Sequence, residues 1–516
     1  MIRSLDKADE TWTIDEIKNL SFSKKVALVY PNEYKVACSN LGFHIIFKNL
    51  SFIGHKPVRF FFDRLKGDFI SYDTEKKLKD FEYIFISISF ENDVENLWKY
   101  FNKFQLKTNK IIIGGSAVSL SPFLFTDIAE KIAIGDSEQY FADFTRIEDL
   151  KFIDSEYVKE FFNRKEIFDE KEIEINKLID KSKSIFNEKE IIIDKSKSIL
   201  NEKEINSNLF LGYKRSLNLK LLEFNNKFNK ISDTKTPAYS IFISEESAFP
   251  NYFLIEISRG CPFNCFFCTM KNLYNKYRLF DLNEILEKLS IGYSKTKNFG
   301  LISAFSPPIK YIKEIKKNFP DATLHFSSLR VDSINEEFLE VISTLNLKTL
   351  TIAPETAIEE IRFKIGKKFT NSQIFDFIQN ASKNKIFKFK FYFILGLKAL
   401  NPENDENQSE LALIDEAKAI IEFIDMAQSL IYEKYKRTPF FSISINPLIP
   451  KPLTLLSDYN FMNINLYKKA KEFMKKEIYK RKNLSIDFIS YNEAKKEYFY
   501  SWNFVENFKL NNNLYL

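Results

Sequence analysis

Short apolar runs alternate with helix-length segments along most of this sequence, and this alternation constrains the fold more than any other feature. Continuous apolar runs predict strands that are buried on both faces, as in parallel sheets covered by helices. A first group of runs in residues 24–147 predicts a doubly wound, Rossmann-like domain. A second group in residues 236–455 forms six βα units, which predict a curved parallel sheet of the TIM-barrel type. The predicted strands are Val26–Tyr30, Tyr83–Ser89 and Lys110–Gly115, followed by Phe253–Ile257, Phe299–Ser303, Ala322–Ser327, Lys348–Ala353, Lys388–Gly396 and Pro439–Asn446.

A tandem repeat separates the two groups of strands. Residues 179–191 recur as residues 193–205 and differ only where Phe186 is matched by Leu200. The apolar stripe of this repeat is too narrow to form a core. We therefore expect residues 148–235 to be an insert, which is either an exposed helical arm or disordered.

The two ends of the chain are expected to be smaller units. Residues 1–23 form an amino-terminal segment without an apolar region, so no targeting or membrane segment is predicted there. Residues 456–516 contain a Lys-rich helix, Asn465–Lys482, and a short strand, Leu484–Ile489. They predict a small carboxy-terminal α/β cap over the mouth of the barrel.

The charge balance gives no sign of a polyanionic partner. The 76 basic and 70 acidic residues leave a net charge of only +6, so nucleic acid is unsupported and a membrane surface is not expected. The chain contains four cysteines, which is few for a secreted protein of this size. A cytoplasmic location is therefore predicted.

Three of those four cysteines lie within eight residues, at Cys261, Cys265 and Cys268, whereas Cys38 stands alone. Clustered thiolates bind zinc, copper(I) or iron–sulfur clusters. A structural zinc site needs four protein ligands, and no second cysteine pair follows, although a zinc loop remains an alternative. Three thiolates suit a 4Fe-4S cluster whose fourth iron stays open to another ligand. The three histidines stand singly in the sequence, at His44, His55 and His325.

The spacing Cys-x3-Cys-x2-Cys, with Phe267 before the last cysteine, resembles the signature of the radical S-adenosylmethionine (SAM) superfamily. This resemblance implies that the open iron binds SAM and that an electron from the cluster cleaves it to a 5'-deoxyadenosyl radical. It also implies that Phe267 lies near the adenine. The cysteine loop directly follows the first barrel strand, at the face where such barrels hold their active sites.

Other strand ends extend the resemblance. Ser327–Ser333 and Thr349–Thr356 are similar to a family's Ser-Leu-Arg-x-Asp and Thr-Ile-Ala-Pro-Glu elements. The likeness implies that Arg330 pairs with the SAM carboxylate and that Glu355 accepts from the ribose hydroxyls; the alternative for each is a salt bridge between strands. It implies further that Gly396 approaches adenine, although Lys398 stands where family members carry proline. The expected SAM contacts are Phe267, Ser303, which replaces an absent Gly-Gly-Glu motif, Ser328, Arg330, Glu355 and Gly396.

The first domain resembles the cobalamin-binding-like domain of some radical SAM proteins, and Gly135–Glu138 resembles the turn that closes it. The Asp-x-His-x-x-Gly element that supplies a histidine to cobalt is absent. His44 and His55 lie outside such an element and are expected to be structural, as is Cys38. Two alternatives stay open: cobalamin binds without a histidine ligand, or the domain is a Rossmann-like platform without a cofactor.

The sequence thus predicts a radical SAM enzyme of unknown substrate, with cobalamin-dependent methyl transfer and hydrogen abstraction as its two subtypes. A methylthiotransferase is not expected because the first domain lacks a second cysteine cluster. The resemblance implies a reductase, flavodoxin or ferredoxin as electron donor. The alternatives are a non-catalytic iron–sulfur protein in electron transfer or assembly, and a regulatory binding protein.

Overall fold

A computed structural model describes residues 8–64, 70–104, 106, 110–142, 145–163, 214–229, 232, 234–274, 276–345, 347, 349–401 and 406–502. The tandem repeat that the sequence analysis assigns to an insert lies outside these residues.

The amino-terminal strands are β1 (Glu10–Trp12), β2 (Phe22–Tyr30), β3 (Lys56–Phe61), β4 (Tyr83–Ser87), β5 (Lys110–Gly114), β6 (Lys131–Ala133) and β7 (Ile153–Asp154). Six of them form one sheet in the order β3-β2-β4-β5-β6-β7. All neighbouring pairs in it are parallel except β6 and β7. Residues 26–30 of β2 are fully buried because helices cover both faces of the sheet. The predicted doubly wound domain is confirmed.

This domain extends beyond residue 147, the boundary predicted from the sequence. Strand β7 pairs with β6, and the helix Ser155–Asn163 follows it directly. Phe161 and Phe162 of that helix lie 5.1 and 5.3 Å from the ring of Phe224, which belongs to a helix at residues 214–228. The described parts of the expected insert therefore pack on the first domain, because their aromatic side chains complete its core.

The remaining strands are β8 (Phe242–Ser244), β9 (Tyr252–Glu256), β10 (Ser258–Arg259), β11 (Arg278–Leu279), β12 (Asn298–Ile302), β13 (Thr323–Phe326), β14 (Leu350–Glu355), β15 (Lys388–Leu395), β16 (Phe440–Pro447) and β17 (Leu484–Phe488). Strands β9, β12 and β13 form one parallel sheet, and β14 to β17 form another. A parallel bridge between Leu329 and Ile352 joins them. The six predicted strands thus form the expected partial (β/α)6 barrel.

The carboxy-terminal strand extends this barrel sheet. Strand β17 pairs in parallel with β16, and the helix Ile464–Tyr479 makes the crossover between them. The segment expected as a cap therefore contributes a seventh βα unit at the sheet edge. Its apolar residues Leu484, Ile486 and Phe488 alternate and pack against the barrel core, which explains this placement.

The helix Ile464–Tyr479 has bounds close to those predicted for the Lys-rich helix, and other helices cover the rest of these sheets. None of those in the described ranges is both long and apolar enough to span a membrane. They are Asp15–Asn19, Tyr34–Ala37, Leu41–Phe52, Asp93–Phe104, Ser116–Leu120, Glu138–Phe141, Ser155–Asn163, 214–228, Met270–Tyr274, Leu282–Tyr293, Ile309–Asn318, Glu336–Ser343, Glu359–Lys364, Asn371–Lys383, Glu406–Tyr435, Ile464–Tyr479 and Tyr491–Ser501.

The two domains contact each other closely. Strand β1 pairs with β8, so the amino-terminal segment is tied to the region just before the barrel. At the other end of the chain, Lys451 binds Glu91 at 2.6 Å and Glu497 at 2.7 Å. The indole of Trp502 donates to the carbonyl of Pro450 at 2.7 Å. The helix Tyr491–Ser501 therefore lies between the sixth barrel strand and the first domain.

Candidate functional site

The cysteine loop leaves the barrel at the carboxyl end of β9. Strands β10 and β11 pair antiparallel and close a loop that contains all three clustered cysteines. Gly260 has a φ of +75°, and a Cβ there would lie 2.7 Å from the carbonyl oxygen of Lys276. Only glycine fits this position, because a side chain would collide with the backbone that closes the loop.

Two other barrel loops hold the cysteine loop in place. The Phe266 amide donates to the Ile365 carbonyl at 3.0 Å, and the Leu456 amide donates to the Phe266 carbonyl at 3.2 Å. Gly366 has a φ of +84°, and a Cβ on it would lie 2.5 Å from the carbonyl oxygen of Asn264. The segments after the fourth and sixth barrel strands thus fix the position of the loop after the first.

The three thiols lie in this loop and are partly accessible. Burial raises the pKa of Cys268 to about 11, and burial with the nearby Cys265 thiol also raises the pKa of Cys261. In the described part of the chain, no three His, Cys, Asp or Glu side chains converge closely enough to hold one metal ion. A 4Fe-4S cluster does not require such convergence because each thiolate binds a different iron. The donor set therefore fits a cubane held by three cysteines.

Arg330, an expected SAM contact, lies beside the cysteine loop. Its Nη1 is 3.6 Å from Sγ of Cys265, and its guanidinium lies 3.7 Å from the centre of the Phe263 ring. Its Nε is 2.8 Å from the carboxylate of Asp332. Arg330 is thus paired within its own turn, not across strands, and its positive charge faces a predicted cluster ligand.

Glu355, the second charged residue of the expected site, is buried at the end of β14. It has a φ of +66°, which is unusual for a residue with a side chain, and the pairing of β14 with β15 is irregular just before it. Its Oε1 binds Nζ of Lys367 at 2.6 Å, and Nζ also binds the carbonyl of Ala353 at 2.6 Å. Lys367 lies 5.9 Å from the centre of the Phe267 ring. Sequence reasoning missed Lys367, since nothing distinguishes it from the other lysines before folding.

The remaining residues that were expected to contact SAM are less accessible to a ligand. The hydroxyl of Ser303 donates to the Phe305 carbonyl, and Ser328 is half-buried just after β13. Gly396 has a φ of +104°, but a Cβ there would meet Leu400 at 2.6 Å and Met462 at 3.1 Å. The positive φ at this position favours glycine, and the approach of adenine to Gly396 stays a prediction.

A buried carboxylate that the sequence analysis did not identify holds the loop after the fifth barrel strand. Glu416 is 2% exposed and lies in the helix Glu406–Tyr435. Its Oε2 accepts from the Gly396 amide at 2.8 Å, and its Oε1 accepts from the amides of Lys398 and Ala399 at 2.7 and 2.9 Å. Burial raises the pKa of Glu416 to about 7 despite these bonds. A proline at position 398 has no amide hydrogen and could not donate to Glu416. Lys398, which stands where family members carry proline, therefore supplies a donor.

A cluster of buried charges joins the cysteine loop to the first domain. Arg259 binds Glu256 at 2.7 and 2.8 Å and Glu138 at 2.9 Å, and its Nη1 lies 3.1 Å from Asp136. Arg278 also binds Asp136, at 2.6 Å. Although burial opposes it, the hydrogen bond from Arg278 and the charge of Arg259 lower the pKa of Asp136. The turn predicted to close the first domain therefore docks onto the arginine two residues before Cys261.

A cavity of about 330 Å³ lies between the carboxyl ends of the first sheet and this charge cluster. No histidine faces it. His44 is fully buried, with Nε2 2.9 Å from the Cys38 carbonyl and Nδ1 accepting from the Ile241 amide. His55 lies at the other end of the sheet, before β3, with Nδ1 3.5 Å from the hydroxyl of Ser23. Both histidines and the buried Cys38 have the structural roles that were expected.

Comparisons with known proteins agree with the barrel. Residues 255–408 match the family model described as the Radical SAM superfamily. An uncharacterized protein of Methanocaldococcus jannaschii is 27% identical over 478 residues, which cover 91% of this chain and 86% of that relative. An uncharacterized methyltransferase of Pyrococcus horikoshii is 29% identical over 200 residues, or 37% of this chain and 42% of that relative.

Among solved structures, one match is the cobalamin-dependent SAM radical enzyme OxsB with aqua-cobalamin bound. The superposition covers 89% of this chain and 56% of the OxsB chain, with 15% sequence identity and a TM-score of 0.42. A TM-score at this level supports no inference about ligands. The family model, by contrast, covers the cysteine loop and the strands from β12 to β15. The chain therefore carries a radical SAM domain, with residues 255–408 matched to that superfamily.

Proposed function

We propose that this protein is a radical SAM enzyme that holds a 4Fe-4S cluster on Cys261, Cys265 and Cys268. The observation that carries the proposal is the position of the three thiols, in one loop at the carboxyl end of the first barrel strand. Two charged side chains from other strand ends, Arg330 and Glu355, lie near the same loop. An oxygen-sensitive cluster also needs a reducing compartment, so we place the enzyme in the cytoplasm.

Cys261, Cys265 and Cys268 would hold the cluster, which would supply the one electron needed for reductive cleavage of SAM to methionine and a 5'-deoxyadenosyl radical. A one-electron carrier such as flavodoxin, ferredoxin or a reductase replaces that electron. We assign Nη1 of Arg330, which lies on the side of the cysteine loop, to the SAM carboxylate, since Nη2 binds Asp332 at 3.0 Å. Lys367 binds one oxygen of Glu355, and we assign the other to the ribose hydroxyls. Phe267, Ser303, Ser328 and Gly396 stay candidates for the remaining contacts.

The test begins with anaerobic reconstitution, followed by measurement of iron and sulfide. SAM and dithionite are then added, and 5'-deoxyadenosine is quantified by liquid chromatography. We expect about four irons per chain and product from the wild type. Cys265→Ala should lose cluster and product, whereas Cys38→Ala, which changes a buried cysteine outside the loop, should keep both. A fully loaded wild-type cluster without product would exclude this function and favour the non-catalytic iron–sulfur alternative.

Cobalamin is left out of the proposal because the residues present do not fit it. The cavity of about 330 Å³ is near the lower limit for drug-sized ligands, and a corrinoid with its nucleotide tail is larger than those. The ion pairs of Arg259 with Glu138 and Asp136 line the same cavity and join the first domain to the barrel at this interface. After incubation with hydroxocobalamin and gel filtration, we expect no corrinoid absorbance with the protein. Stoichiometric absorbance would show that the interface opens.

A further inference from the structure

An exposed surface beside the cysteine loop combines apolar and basic side chains. Phe363 is 41% exposed and Leu455 is 62% exposed, and the side chains of Lys271 and Lys368 are also exposed. Large apolar residues at such exposure are common singly but informative when they lie together at a site. We call these four residues the loop-side patch.

The chain segments that carry the loop-side patch lie around the cysteine loop and contact it. Phe363 and Lys368 flank Gly366, which packs on Asn264 of the loop. Leu455 directly precedes Leu456, whose amide binds the loop at Phe266. The helix Met270–Tyr274 carries Lys271 and is tied to the Leu453 segment, since Asn272 donates to the Leu453 carbonyl.

The patch segments are also adjacent to each other and positively charged. The segments after β14 and after β16 both bind Phe266 of the loop, one through the Ile365 carbonyl and the other through the Leu456 amide, so they lie next to each other. Lys364 pairs with Glu360 at 2.6 Å, and Arg215 pairs with Asp458 at 2.8 Å. Lys271 and Lys368 are exposed, and no ion pair within the described residues neutralises either of them.

We propose that the loop-side patch is the docking surface for an acidic one-electron carrier protein. The inference rests on the proposed function, because reductive cleavage of SAM consumes one electron per event. The carrier loses that electron and the cluster gains it, so the two must come close together. An apolar centre with a charged rim suits a transient complex: apolar contact holds the partner, and complementary charge speeds association.

The experiment measures 5'-deoxyadenosine formation with two reductants, reduced flavodoxin and dithionite. Flavodoxin is an acidic protein and has to dock, whereas dithionite is small and needs no docking surface. We expect Lys271→Glu/Lys368→Glu to lower the flavodoxin-driven rate about tenfold at low salt, since reversing rim charges mainly slows association. Leu455→Ser should also lower it. The dithionite-driven rate should stay within about twofold of the wild type in both variants.

The matched control is Lys475→Glu/Lys476→Glu, which reverses two exposed lysines in the last turns of the helix Ile464–Tyr479. It changes the net charge by the same amount and should leave both rates unchanged. Equal flavodoxin rates in the wild type and the patch variants would overturn the docking proposal, as would a wild type that turns over with dithionite but not with flavodoxin. No product with dithionite would instead overturn the proposed function itself.

Discussion

Glu416 allows a sharp test of how the barrel loops are held. Its carboxylate accepts three amides of the segment 396–399, and nearly all of it is buried. Glu416→Gln keeps the size of the side chain but removes its titration. It also places an amide group against a backbone amide, so one hydrogen bond is lost. Below pH 4.5, where the wild-type carboxyl group is also neutral and its closure is strongest, the segment should therefore open more readily in the variant, because one buried amide loses its acceptor.

The pH dependence of the wild type has a definite sign. The pKa of Glu416 rises from an ordinary value of 4.5 to about 7 in the folded protein because burial disfavours its charge. Below pH 4.5 the carboxyl group is protonated in both the closed and the open segment, so stability is highest there. As pH rises from 4.5 to about 7, Glu416 releases its proton in the open segment before it does so in the closed one. The free energy that favours the closed segment therefore falls by about 3 kcal/mol. Above about pH 7 the loss is complete.

Hydrogen exchange of a peptide that covers residues 396–400 measures this opening locally. Between about pH 5.5 and about pH 8 the wild-type opening free energy should fall by about 2 kcal/mol, or about 30-fold in exchange corrected for intrinsic rates. Glu416→Gln should show no such change, and Glu422→Gln, an exposed change on the same helix, should behave as the wild type. A wild-type segment that becomes more protected as pH rises would refute the reasoning.

Three further outcomes follow from the same contacts. Gly366→Ala should lower iron incorporation, because the added Cβ would collide with the cysteine loop. Gly54→Ala is the control: it has a similar φ of +87° but lies in open space, so this variant should bind iron fully. Equal iron contents in the two variants would contradict this account. Arg259→Met should lower the denaturation free energy by about 3–5 kcal/mol by leaving buried carboxylates unpaired, and an unchanged urea midpoint would count against it. Arg146→Met, in an exposed pair, should leave that midpoint unchanged. Arg330→Lys should raise the KM for SAM about tenfold with little change in kcat, and an unchanged KM would remove Arg330 from the SAM contacts.

The elements that the sequence predicted correctly depend on local patterns. Strand β15 was expected at residues 388–396 and ends at 395, and the predicted strand Leu484–Ile489 ends at 488. Alternation and run length specify such strands without knowledge of their neighbours. The pairing of β17 with β16 was not predicted, since a strand's sequence does not state which edge it joins.

The partners of the site residues could not be read from the sequence. Glu355 was identified by its motif, but its partner Lys367 lies twelve residues later, and Glu355 itself adopts a positive φ at an irregular strand end. Glu416 is twenty residues from Gly396 and was one acidic residue among 70. Such pairs form when loops from different barrel strands meet, and no short-range pattern encodes that meeting.

Arg259 shows that a site residue can depend on partners from another domain. It lies two residues before Cys261, and two of its three carboxylate partners come from the first domain, more than 120 residues earlier. Buried charges are costly unless they are paired, so neither the arginine nor the carboxylates can keep their places when the domains separate. The start of the cysteine loop is therefore positioned by the barrel strand on one side and by the first domain on the other. A barrel without that domain would keep all three thiols but lose two of the three carboxylates that orient the residue leading into them.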